Sequence, residues 1–150
     1  MTPSYRNALA VLVANEAAAE VSFLYALHER DRFDAAAFWE LFDAMAVIAA
    51  APPRQRAAAR RAAAFVHRAI LMHVIHHLSP HDGSRIRRCP GRRLQAYLDR
   101  LDWVFVPVTD GTRGYGPAPD VDDGLRRPQP RRTRTARRTA PRTRLPTSTA

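Results

Sequence analysis

Five of the six histidines in this 150-residue chain fall between positions 67 and 81: His67, His73, His76, His77 and His81. On a helix, His73 and His77 stand one turn apart and can hold a metal ion between them, with His81 or Cys89 as a further ligand. That is the sharpest chemistry the residue types suggest. Its weakness is that no acid or second cysteine stands at a fixed ligand spacing beside the pair. At 100° per residue, Leu71, Val74, Ile75 and Leu78 turn to one side and His73, His76 and His77 to the other. The histidines then read as the polar face of an amphipathic helix, and metal binding through His73, His77 and His81 ranks third among the functions considered. No cofactor is expected.

Glu16 and Glu20 are a second pair one turn apart, and they interrupt an apolar stripe of Leu9, Val13, Phe23 and Leu27. Carboxylates on a buried face need partners. Arginines of a later helix, a shared metal or partial exposure of the stripe would each meet that need; the di-metal version lacks the Glu-x-x-His pairs such sites use.

Exclusions are firmer. All 24 basic side chains are arginine, so a Schiff base, a Ser-x-x-Lys nucleophile pair and a lysine-bearing phosphate loop are ruled out. His28-Glu29 begins like a zinc-protease motif, but Arg32 stands where its second histidine belongs. Cys89 alone closes no internal disulfide and builds no zinc ribbon. There is no apolar run of membrane-spanning length, and the run from Ala8 to Ala14 makes a poor signal peptide, being followed by Asn15 and Glu16. The expectation is a cytoplasmic, non-enzymatic protein with no membrane partner.

The formal charge of +10 divides unevenly. Residues 1–43 carry −4, residues 44–100 carry +9, residues 101–125 carry −4 and residues 126–150 carry +9 with nine arginines and no acid. That final segment has one large apolar side chain, Leu145, too little to repay the entropy of ordering, so a disordered basic tail is expected. It reads as a nucleic-acid arm, as a segment binding an acidic protein, or as an incidental product of a GC-rich gene. Within the body, Arg54, Arg61 and Arg68 recur every seven residues, while Arg85, Arg87, Arg88, Arg92 and Arg93 crowd into nine positions. Cations at a helix start are favoured only where an anion is bound, so these eight are the candidate phosphate contacts.

The elements that must position these groups are helical. Ser4 caps a long helix running to about Glu29, and Asp34 caps a second with Phe38, Leu41, Phe42, Met45 and Ile48 on one face. Pro53 opens a third that ends at Leu78, and Pro90-Gly91 precede a short fourth bearing Leu94, Tyr97, Leu98 and Leu101. Residues 103–108, WVFVPV, read as a proline-bearing edge strand that pairs with residues 84–88 or with a second copy of the chain. The expected fold is therefore mainly α: a bundle of about four helices over residues 1–108, at most a minor hairpin or edge strand, a Gly/Pro/Asp linker over 109–125 and the tail over 126–150. The connection from Ser79 to Gly91 is too long for a helix-turn-helix. The leading expectation is a regulatory or accessory protein making non-specific phosphate contacts with nucleic acid; the alternative is a helical protein-interaction module, an adaptor, inhibitor or oligomerising protein, with Trp39, the His face and the edge strand as its contacts and the tail incidental. An acidic protein and a second copy of the chain are the protein partners considered.

Overall fold

The computed structural model describes residues 4–111 and Leu125. These form a bundle of five α-helices: α1 (Tyr5–Glu16), α2 (Phe23–His28), α3 (Ala35–Ala49), α4 (Pro53–Leu78) and α5 (Leu94–Thr109), the last preceded by a 3-10 turn at Gly91–Arg93. α1 lies against α3 and α4, and α5 closes the bundle against α3 and α4. The expected tail over 126–150 and most of the linker lie outside the described residues, although Leu125, at the linker's end, is buried with the core.

α3 and α4 start and stop where their sequences punctuate them. The Asp34 carboxylate accepts from the amides of Ala36 and Ala37 at 3.1 and 3.3 Å, satisfying two donors that open a helix. Pro53 sits in the first turn of α4, where its missing N–H costs nothing. Arg56 then reaches back to donate to the Ala49 carbonyl at the end of α3.

The long first helix is two helices. Asn15 is buried, its amide donating to Val11 O at 3.0 Å and its carbonyl oxygen accepting from Leu24 N at 3.1 Å. Ala18 takes a left-handed φ of 46°, and Ser22 caps the new start by accepting from Tyr25 N. A side chain thus replaces backbone partners across the break. The break also takes Glu16 and Glu20 off the buried stripe: Glu16 is half-buried, and Glu20 is exposed with Arg30 3.5 Å away.

The edge strand is also overturned. Residues 103–108 continue α5, whose buried residues Leu94, Tyr97, Leu101, Val104, Phe105 and Val108 recur at three- and four-residue intervals. Pro107 removes one N–H near the C-terminus, and the helix ends two residues later. Among the described residues the only β pairing is an isolated bridge between Arg32 and Arg87, so residues 84–88 turn to the α2–α3 connection. Dimerisation by strand pairing through 103–108 goes with the strand.

An aromatic cluster sits at the centre. Phe38 meets Phe23 edge-on at 5.5 Å and Tyr97 at 4.7 Å, while Phe33 meets Tyr97 at 4.9 Å. Each such pair adds about 0.5–1.5 kcal/mol beyond the area it buries. These contacts join the α2–α3 connection to α5 and hold the corner against which α4 lies. No helix among the described residues is long and apolar enough to cross a membrane.

Candidate interaction surface on α4

α4 carries five arginines and four histidines and not one acid. Its buried residues are Ala59, Ala63, Val66, Ile70 and Val74, so the inward face is set by small and β-branched side chains spaced three and four apart. This differs from the aliphatic face read from the sequence. Ile75 and Leu78 are 56% and 65% exposed, whereas His73 and His77 are half-buried, close on the helical wheel to the buried row.

The histidines are accordingly held one by one. His77 Nδ1 accepts from the Ile86 amide at 3.0 Å, fastening the connection between α4 and α5. His73 meets the ring of His28 edge-on at 5.3 Å. Burial holds its pKa below the usual 6.5, with His28 and His76 pushing the same way and Asp31 opposing them. His67 is 2.8 Å from Asp102 and stacks on Phe105, linking α4 to α5. His76 lies 3.5 Å from Asp82, and His81 is exposed. No three His, Cys, Asp or Glu side chains among the described residues are gathered to hold a metal ion, so His73, His77 and His81 do not come together as a ligand set.

The eight arginines divide in two. Arg85 and Arg87 serve the fold: Arg85 Nη1 donates to the carbonyls of Asp82 and Ser84 at 2.8 and 2.9 Å, and Arg87 Nη2 to that of Arg30 at 2.6 Å. Arg88 is exposed in the connection ahead of the 3-10 turn, and Arg92 and Arg93 are exposed within that turn, at the start of α5. Arg54, Arg61 and Arg68 are exposed too, and their seven-residue spacing places them in one row, opposite the buried face. No family model, curated protein or solved structure matches the chain.

The sequence reading missed what lies beside that row. Phe65 and Met72, 53% and 40% exposed, stand next to Arg61 and Arg68 on the outward side. They form one wall of a groove of about 460 Å³, completed on α4 by Ala69, His73 and His76. Glu16, Ala18, Leu24 and His28 form the facing wall at the α1–α2 corner. The seven-residue repeat of Phe65 and Met72, in phase with the arginines, was the signal available. It was masked because α4 has apolar residues on every side.

Proposed function

We propose that this protein is a non-enzymatic helical binding module whose working surface is the outward side of α4 and whose partner is an acidic protein. The observation that carries this reading is the mixture on that side: exposed Arg54, Arg61 and Arg68 run alongside exposed Phe65 and Met72, on a helix with no acid. Arginines alone suit any polyanion. Exposed aromatic and thioether side chains gain from a partner that brings apolar surface as well. A phosphate backbone brings none, and two of the eight candidate phosphate contacts, Arg85 and Arg87, though exposed, each already commit one guanidinium nitrogen to loop carbonyls.

The test compares the full chain with its Arg61→Glu/Arg68→Glu variant for binding a labelled random glutamate–leucine copolymer, with unlabelled poly-glutamate in excess to occupy the basic segment 126–150, and for binding random duplex DNA. Binding to the acidic polypeptide is expected to fall by about tenfold in the variant, as for loss of central interface arginines. Any DNA binding through the nine arginines of residues 126–150 is expected to hold within about twofold and to be salt-sensitive. Unchanged polypeptide binding would remove the α4 surface from consideration.

A further inference from the structure

The α4 wall of the groove has a pattern of its own. Phe65, Ala69, Met72, His73 and His76 line it; with Arg68 beside them, Phe65, Arg68, Ala69 and Met72 stand at i, i+3, i+4 and i+7, and so do Ala69, Met72, His73 and His76. Four residues at that spacing frame the hole into which a facing helix inserts one side chain. The two holes follow one another along the helix and share Ala69 and Met72. Ala69, with the smallest side chain of the set, leaves room where they meet. From Phe65 to His76 the wall runs about 16 Å, the length of roughly three helical turns. Leu24, buried against the core, faces it from α2.

Charge gives the groove a direction. Arg61 and Arg68 do not line the groove but stand one turn before Phe65 and Met72 on α4; they are exposed and form no ion pair among the described residues. The opposite wall carries Glu16, so carboxylates of an occupant are drawn to the α4 lip and kept from the α1 side. Resting on the acidic-partner reading above, we propose that the occupant is a single amphipathic helix of a partner protein. Its apolar residues, spaced three and four apart, seat over Leu24, Ala69 and Met72, and its acids point at Arg61 and Arg68. This is helix-in-groove recognition, in which spacing gives specificity and the flanking charges give orientation.

Two peptides of about fourteen residues and identical Leu/Glu/Ala composition supply the probe, one with its leucines on a single helical face and the other with them scattered. Anisotropy against the full chain is expected to show the patterned peptide binding about tenfold tighter. Ala69→Leu, which fills the shared hole, and Met72→Gln, which makes its rim polar without adding charge, are expected to erase that advantage while leaving the scattered peptide as it was. Both positions are partly exposed, and circular dichroism melts establish that the variants fold. Equal binding of the two peptides to the wild-type chain overturns the helical occupant but leaves the acidic-partner reading standing. Failure of both peptides to respond to Arg61→Glu/Arg68→Glu overturns the two together. Loss of DNA binding in Ala69→Leu would hand the groove to nucleic acid. A dimer that Ala69→Leu dissociates would hand it to a second copy, and tighter peptide binding after Asp120→Asn/Asp122→Asn/Asp123→Asn to the chain's own acidic stretch.

Discussion

The Ile86 amide donates to Nδ1 of His77 at 3.0 Å, across nine residues of chain. Ile86 is itself buried, so one imidazole pins the long connection between α4 and α5 to the end of α4. The bond also defines the ring: a nitrogen that accepts from a backbone amide carries no proton, so the other nitrogen does.

Replacing that ring orphans a buried donor. His77→Ala is expected to lower the free energy of unfolding by about 1–3 kcal/mol, the cost of an unsatisfied buried amide. Urea unfolding gives the loss. Amide exchange at Ile86 should accelerate well beyond that at Val104, which lies in the middle of α5; uniform acceleration would mean that the bond does not hold the connection locally.

His73 predicts a pH dependence with a definite sign. Its folded-state pKa lies below 6.5, chiefly through burial and then through His28 and His76. The unfolded chain therefore takes up the proton first as pH falls. The contribution to stability is intact above about pH 6.5 and is lost progressively as pH drops toward the folded value. The difference in melting temperature between wild type and His73→Gln should be constant above neutrality and shift in the variant's favour below pH 6.5. A difference that stays flat across that window would contradict the assignment.

Ala18 holds a φ of 46° at the corner between α1 and α2. A left-handed backbone costs a residue with a Cβ about 1–2 kcal/mol, and glycine escapes that at an entropic cost of about 0.5–1 kcal/mol. Ala18→Gly is expected to be neutral to stabilising by up to about 1 kcal/mol, and Ala18→Val to destabilise. Thermal melts of the two variants should therefore bracket the wild type.

Asn15 does the opposite work at the same corner. Asn15→Ala leaves the Leu24 amide without its acceptor and should cost about 1–3 kcal/mol. Because Leu24 lines the groove, the same variant should weaken binding of the patterned peptide. An Asn15→Ala chain that melts like wild type would show that α1 and α2 keep their angle without this side chain.

The His67–Asp102 pair predicts a smaller effect. Asp102 is more than half exposed, so water screens the interaction and Asp102→Asn should cost no more than about 1 kcal/mol. Phe105, buried beneath the His67 ring, should cost about 3–5 kcal/mol as Phe105→Ala. Denaturant unfolding that ranked the two in reverse would place the α4–α5 tie in the ion pair rather than in the packing.

The sequence by itself determined the helices whose ends are chemically marked. Asp34 before an apolar run and Pro53 in a first turn act through atoms within a few residues, so no distant contact is needed to place them. It also determined the chemistry closed to a chain without lysine, and the arginine row at 54, 61 and 68, since a seven-residue spacing keeps one face on any helix. Three features were decided only in the tertiary structure. α1 ends at Glu16 because the Asn15 side chain binds Leu24, a contact invisible in a pattern that stays apolar through Leu27. Residues 103–108 are helical because Val104, Phe105 and Val108 bury against α3 and α4, and packing at helical spacing outweighs the strand preference of valine and phenylalanine. α4 has apolar side chains all round, so its inward face was open until neighbours chose it. Alanines at 59 and 63 let α4 approach closely, which turns Ile75 and Leu78 outward, brings His77 in to fasten a loop, and leaves Phe65 and Met72 beside the arginines as the groove's wall.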